Sequence, residues 1–317
     1  MPTIELVRRL IADQYGARPN AISDLQNYIF DWRGIYRADH ADGPAWVVRI
    51  MNRAEAAIGF AGTAALLDWL HAQGYPAPRA VATKSGARVG YAAGWWMLAT
   101  TFVPGRLPEP KPEHLRAIGA ALGRLHRLAL PGAADATQLP DSLWPRGTMS
   151  MLRRQLEGSA TRWPTELRSI YNRLLGTFDQ LAEVEALPTC LIHGDCWPLN
   201  AVLRPTQELV LIDWDGAGYG PSVLDLGKLL LAAHYDLSRP LEVLPNRAWV
   251  AAIVQGYTAI RPLSAEERRL LPAAVPFWLA YSAAHYAHEI EVLAPDDLFF
   301  QKLRVRLDAA EAIADLL

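Results

Sequence analysis

Apolar residues follow two different periods along the first part of the chain. In residues 3–15 they recur at the spacing of one helical face, and Thr3 stands in the N-cap position. Strand-like runs and a longer helix that ends at Gly74 follow, with turns at Asp42-Gly43 and Ser85-Gly86. The predicted elements are helices at 3–15 and 53–73 and strands at 21–27, 35–38, 46–50, 81–83 and 95–102.

The rest of the chain is mainly helical by the same criterion. The predicted helix at 114–128 carries Gly119 and Gly123, which would let a neighbouring element approach closely. Short apolar runs at 187–192, 201–203 and 208–212 predict strands, with a turn joining the last two. Further helices are predicted at 149–156, 165–182, 249–257, 265–271, 276–292 and 297–317.

Composition limits the kind of protein. The 317 residues are 51% hydrophobic with a formal net charge of −2, which predicts a globular chain of two modest domains or lobes. A nearly neutral chain argues against a nucleic-acid partner or a charged membrane surface, and no apolar run is long enough for a membrane span. The two cysteines, Cys190 and Cys196, form no disulfide framework, and with no signal peptide pattern we expect a cytoplasmic protein.

One pair of motifs points to chemistry. Residues 193–200 are His-Gly-Asp-Cys-Trp-Pro-Leu-Asn, and Asp213 follows thirteen positions later in Leu-Ile-Asp-Trp-Asp. Asp195 can orient an attacking hydroxyl, whereas Asn200 and Asp213 offer the oxygen ligands that Mg²⁺ prefers. The strands predicted on either side place the first motif in a loop. The sequence therefore favours phosphoryl transfer.

The two motifs resemble the signatures His-Gly-Asp-x-x-x-x-Asn and Ile-Asp-Trp-Asp/Glu of the aminoglycoside phosphotransferase and choline kinase-like family. The resemblance implies an α+β, two-lobed protein-kinase-like fold, with a small N-lobe of antiparallel sheet plus helix at 1–103 and a larger, mainly helical C-lobe at 104–317. It also implies that Asp195 is the catalytic base, that Asn200 and Asp213 bind Mg²⁺, and that ATP or GTP is the phosphoryl donor.

By the same resemblance, the third strand supplies a cation for the nucleotide phosphates, and that position is Arg49. The following helix should supply a glutamate near Thr63, but no acid stands there; Glu55 is the only glutamate of that helix, and either it substitutes or Arg49 is positioned otherwise. The loop at 28–34 over the phosphates contains a single glycine. The segment Thr101, Phe102 and Val103 resembles the hinge that meets the purine, although an ordinary strand end has the same residues.

The acceptor site is expected among the C-terminal helices. Trp278, Tyr281 and His285 recur at helical spacing, and an acidic stretch that includes Glu289 and Glu291 follows them. Such a face would suit a polyhydroxylated or amine-bearing molecule, but acidic clusters are usually solvated. Asp215 is ambiguous, because metal, substrate and backbone contacts are all open to it.

The leading interpretation is a kinase that transfers the γ-phosphate of ATP or GTP to a hydroxyl of a small molecule. The alternative is a nucleotide-binding regulatory module with little catalysis, which the missing helix glutamate and the glycine-poor loop favour. Phosphorylation of proteins ranks last, because the segment between Asp213 and Asp225 is too short for an activation loop. Aminoglycoside-like, sugar, amino alcohol and amino acid acceptors all remain open, as do a monomer and a homodimer.

Overall fold

The computed structural model describes residues 2–25, 33–130, 149–236, 238–285 and 297–317. The chain divides into two compact units. The described part of the first unit comprises residues 2–25, 33–105 and 204–215, and the second comprises the remainder. The segment at 204–215 thus groups with the N-terminal residues. The lobe boundary proposed between residues 103 and 104 stays a prediction.

The first unit contains an antiparallel sheet with the strand order β1-β2-β3-β5-β4. Its strands are β1 (Ala21–Asp24), β2 (Arg33–Asp39), β3 (Trp46–Met51), β4 (Val89–Ala92) and β5 (Trp95–Thr101). The predicted strand at 81–83 was wrong, because the edge of the sheet is formed by β4 instead. A two-residue turn joins β4 to β5, and its residues Ala93 and Gly94 have φ values of 49° and 82°, as a tight hairpin requires.

One helix packs against each face of this sheet. Helix α1 (Ile4–Tyr15), capped by Thr3, buries Val7, Leu10 and Ile11 against Val48 and Ile50 of β3. Helix α2 (Glu55–Ala72) covers the other face, where its Phe60 packs with Leu98 of β5. Side chains alternate along a strand, so Arg49 points to the α2 face. It is 8% exposed there, which makes it a buried cation in an apolar layer.

The second unit is mainly helical. Its helices are α3 (Pro112–Leu125), α4 (Met149–Gly158), α5 (Arg168–Gln180), α6 (Ser222–Ala232), α7 (Arg247–Ile260), α8 (Ala265–Ala274), α9 (Phe277–His285) and α10 (Leu298–Ala314). The predicted role of Gly119 is confirmed, because a Cβ there would lie 2.3 Å from the carbonyl oxygen of Ile253 in α7. Within the described ranges, no helix has the length and apolar character needed to span a membrane.

Short strands frame the candidate motifs. In the second unit, β6 (Thr189–Ile192) pairs antiparallel with β9 (Gly218–Pro221), and β6 leads directly into the loop that begins at His193. Strand β7 (Ala201–Leu203) follows that loop. In the first unit, β8 (Leu209–Leu211) leads to Asp213. Each motif therefore begins where a buried strand ends, as the sequence predicted.

Candidate active site

A buried carboxylate fixes the start of the loop from His193 to Asn200 through hydrogen bonds. Asp225, in the first turn of α6, accepts hydrogen bonds from the backbone N–H groups of His193 at 2.6 Å and Gly194 at 3.0 Å. The Asp195 N–H donates to Nδ1 of His193 at 3.3 Å. Gly194 has φ 74°, and a Cβ there would lie 1.8 Å from the carbonyl oxygen of Gly216. Glycine is therefore required at this position.

A chain of buried polar groups in turn fixes Asp225. Nε2 of His126 lies 3.1 Å from its carboxylate, Nδ1 of His126 lies 2.8 Å from the Tyr257 hydroxyl, and Arg261 donates to that hydroxyl at 3.2 Å. Arg261 also pairs with Glu267 at 2.7 Å. Each donor meets an acceptor if His126 is neutral and carries its proton on Nε2. His126 and His193 therefore both support the loop through hydrogen bonds from buried positions.

The titration of this pair follows from its surroundings. Burial lowers the pKa of His126, and this outweighs the opposite pull of Asp225. Burial by itself would raise the pKa of Asp225, but the hydrogen bond from His126 and the neighbouring imidazole and backbone donors bring that pKa below its ordinary value. The pair is thus a neutral imidazole beside an ionised carboxylate. It braces the loop and is sealed from solvent.

Asp195 itself is oriented by two different donors. Nδ2 of Asn200 donates to its Oδ2 at 2.8 Å and to its backbone oxygen at 2.9 Å. Nζ of Lys228, from α6, lies 3.1 Å from its Oδ1. The Asp195 side chain is 41% exposed and that of Lys228 is 22% exposed. The carboxylate therefore has a fixed orientation and remains accessible.

The predicted aromatic face of α9 lies near this lysine. Trp278 is 8% exposed and donates its indole N–H to the Leu224 carbonyl at 2.9 Å, so its ring is fixed against α6. Nζ of Lys228 lies 4.9 Å from the centre of that ring. Tyr281 contacts Trp278 and stacks on His285 with ring centres 5.9 Å apart. The proposed acceptor residues Glu289 and Glu291 lie outside the described residues.

In the first unit, Arg49 meets the acids of the second motif. Its Nη1 pairs with Oδ1 of Asp215 and lies 3.6 Å from Oδ1 of Asp213. The same Asp215 oxygen accepts a hydrogen bond from the Thr63 hydroxyl at 3.2 Å. Asp215 thus stands where the sequence led us to expect a glutamate on α2. Asp213 follows β8 with φ 61°, a conformation that aspartate tolerates better than most residues.

Two backbone N–H groups of the predicted hinge already donate hydrogen bonds within the first unit. The Thr101 N–H donates to Arg79 and the Phe102 N–H to Ala45, at 2.9 Å and 2.7 Å. The Arg37 guanidinium lies 4.3 Å from the centre of the Phe102 ring. A purine contact through a backbone N–H would therefore fall to Val103. The purine-binding role of these residues stays a prediction.

Neither thiol is placed for chemistry. Cys196 is 0% exposed, and burial together with Asp225 and Asp195 raises its pKa well above the ordinary value. Burial and the nearby Asp225 raise the pKa of Cys190 to about 12. A reactive cysteine needs exposure and a lowered pKa, so both residues serve packing.

Comparison with known proteins decides the family. The protein-family model described as "Phosphotransferase enzyme family" matches residues 31–268 of the sequence. The chain belongs to this family. It is 30% identical to a homoserine kinase of Acidiphilium cryptum (strain JF-5) over 259 residues, which cover 78% of this chain and 77% of that protein.

Two solved structures show the protein-kinase-like fold class. An amicoumacin kinase, in complex with AMP-PNP, Ca²⁺ and Ami, has a TM-score of 0.68 at 16% identity, with 98% of this chain and 93% of that one covered. A microcompartment-associated aminopropanol kinase has a TM-score of 0.67 at 17% identity, with 98% and 95% covered. The predicted fold class is confirmed.

Family membership also confirms the enzyme class predicted from the motifs, a small-molecule kinase with an alcohol group as acceptor. The regulatory alternative finds no support in these comparisons. The sequence reasoning missed Lys228 and the pairing role of Asp215. Lys228 lies three residues after Asp225 on a helix, so the two share a face, and this spacing was the available signal.

Proposed function

We propose that the enzyme transfers the γ-phosphoryl group of a nucleoside triphosphate to a hydroxyl of a small molecule held against Asp195. The observation that carries the proposal is the fixed, accessible carboxylate of Asp195 on a loop braced by Asp225. The acceptor oxygen forms a bond to the γ-phosphorus, the bond from that phosphorus to the β-phosphate oxygen breaks, and the hydroxyl proton passes to Asp195 late in the reaction.

Within the first unit, Arg49 is proposed to neutralise phosphate charge, with Asp215 as the residue that positions it. Asp213 is proposed to bind the divalent cation of the nucleotide. Asn200 directs its amide nitrogen to Asp195, so its amide oxygen remains as the metal ligand. All of these ligands are oxygens, which fits Mg²⁺. When bound, this cation offsets negative charge on the phosphates.

The family members and neighbours suggest which molecules to test. The A. cryptum relative brings homoserine into the acceptor panel, and the structural neighbours bring aminopropanol and amicoumacin. The AMP-PNP and Ca²⁺ in one neighbour support a nucleotide donor and a divalent cation. Mg²⁺ and ATP are our specific choices, with GTP as the second donor.

The test is acceptor-dependent nucleoside diphosphate release, with direct detection of the phosphorylated product. Asp195→Asn should lower kcat about 10²- to 10⁴-fold while nucleotide binding by calorimetry is retained, because a general base contributes on that order. Asp68→Asn is the matched control, since Asp68 is a half-exposed acid paired with Arg88. Turnover in Asp195→Asn equal to that of the control would refute the role of Asp195.

A further inference from the structure

Lys228 is the cation beside the proposed base. Its Nζ lies 3.1 Å from Oδ1 of Asp195, and its side chain is largely buried, with 22% exposed. It stands one turn after Asp225 on α6, the helix that braces the catalytic loop.

Lys228 is not the only group that orients Asp195, because Asn200 holds the other carboxylate oxygen and the backbone oxygen. A positive charge at this position is explained if it binds a negatively charged group of the substrate.

The ammonium is also presented in a fixed direction. The ring of Trp278 lies 4.9 Å from Nζ and supports it from one side, and the hydrogen bond from the indole to Leu224 holds that ring. An ammonium has three N–H donors, and one of them is directed to Asp195. The remaining donors are directed within a few ångströms of an acceptor hydroxyl placed against Asp195.

An ammonium in this position would discriminate between acceptors by their charge. A second ammonium close to the reacting hydroxyl would meet Lys228 with like charge, whereas a carboxylate would pair with it. In a four-carbon hydroxy amino acid, the carboxyl carbon and the hydroxyl oxygen are separated by four bonds, which span roughly 5 Å when extended. That distance suits a hydroxyl against Asp195 and a carboxylate against Lys228.

We propose that Lys228 binds a carboxylate of the acceptor and that the acceptor is a small hydroxy amino acid. The proposal rests on the proposed function, because it places the acceptor hydroxyl against Asp195. It goes further by naming the substrate class and the residue that recognises it.

Two probes isolate the carboxylate. L-Homoserine and 3-aminopropan-1-ol differ only in that a hydrogen replaces the carboxylate in the second, so the ratio of their kcat/KM values measures recognition of that group. The ratio is measured for the wild type, Lys228→Met and Lys228→Arg. Lys111→Met is the matched control, since Lys111 is 53% exposed and pairs with Glu109.

We expect the wild type to prefer homoserine. Lys228→Met should lower the homoserine-to-aminopropanol ratio about 10- to 100-fold, the range for one charged hydrogen bond, chiefly through the KM of homoserine. Lys228→Arg should recover part of the ratio because it keeps the charge. The ratio in Lys111→Met should match the wild type.

If Lys228→Met lowered kcat/KM equally for both acceptors, the proposal would be overturned, and the lysine would instead act at the reacting centre. A wild type that prefers aminopropanol, or phosphorylates other alcohols but neither probe, would also overturn it and leave the proposed kinase function standing. Calorimetric binding of the two probes to wild type and Lys228→Met tests carboxylate recognition separately from turnover. If no acceptor is phosphorylated, the proposed function fails, and a binding ratio unaffected by Lys228→Met would end this proposal as well.

Discussion

The pairing of Arg49 with Asp215 leads to a rescue experiment. Thr63 of α2 and Arg49 of β3 meet the same oxygen, Oδ1 of Asp215, and the Thr63 hydroxyl is 3.2 Å from it. Asp215→Asn removes the charge that holds Arg49. A glutamate at position 63 would be long enough to place its own carboxylate near the Arg49 guanidinium. The double variant Thr63→Glu/Asp215→Asn should therefore restore a partner for Arg49.

The size of the effect follows from burial. Removing one partner of a fully buried ion pair costs about 3–5 kcal/mol. The Arg49 side chain is only 9% exposed, but that of Asp215 is 38% exposed and Asp213 lies 3.6 Å from Arg49, so we expect about 1–3 kcal/mol after screening. If half of this appears in nucleotide affinity, the Kd for Mg-ATP should rise about twofold to twelvefold, since 1.4 kcal/mol is one tenfold step.

The assay is calorimetry with Mg-ATP together with thermal unfolding of four proteins: wild type, the two single variants and the double variant. Thr63→Glu alone should also be harmful, because it sets a second carboxylate against Asp215 inside the unit. The double variant should bind more tightly than either single variant, and Thr63→Gln/Asp215→Asn, which lacks the new charge, should not. Purely additive losses in the cycle, or tighter nucleotide binding by Asp215→Asn, would refute the positioning role of Asp215.

Other predictions concern the second unit. In native protein, iodoacetamide at neutral pH should leave Cys190 and Cys196 unmodified by mass spectrometry, and both should react after unfolding; rapid native labelling would contradict their burial. Burial lowers the pKa of His126 and His234 in the folded state, so unfolding takes up protons below pH 6.5. Denaturant titrations should therefore show the free energy of unfolding decreasing as the pH is lowered below 6.5, by at most about 1.4 kcal/mol per pH unit for each histidine. A flat profile would contradict this expectation. Gly194→Ala should lower the free energy of unfolding by at least about 1–3 kcal/mol through backbone strain alone, and it should also lower kcat. Thermal unfolding and product formation measure the two effects, and a neutral result would refute the loop geometry.

The sequence predicted what depends on local pattern. The chemistry of residues 193–200 is contained in one loop, and the strand before it follows from a short apolar run. The helix faces of α1 and α3 could be derived from apolar spacing in the same way. These features needed no knowledge of long-range contacts.

What the sequence could not supply depends on distant partners. The expected acid near Thr63 was sought on the same helix, but Asp215 supplies it from 152 positions further along the chain, which no helical spacing encodes. The strand predicted at 81–83 failed for a related reason, because Val89–Ala92 is selected by its hairpin with β5 and by the Ala93-Gly94 turn. In both cases tertiary pairing decides between segments with similar local preference.

Moving the acid from α2 to the second motif has a physical consequence for the first unit. Here Asp213 and Asp215, two residues apart, both lie near Arg49. A divalent cation on Asp213 would compete with Arg49 for that carboxylate, which leaves Asp215 as the partner that keeps Arg49 in place. The Thr63 hydroxyl then matters because it fixes Asp215 to α2 without adding a second negative charge to a buried layer.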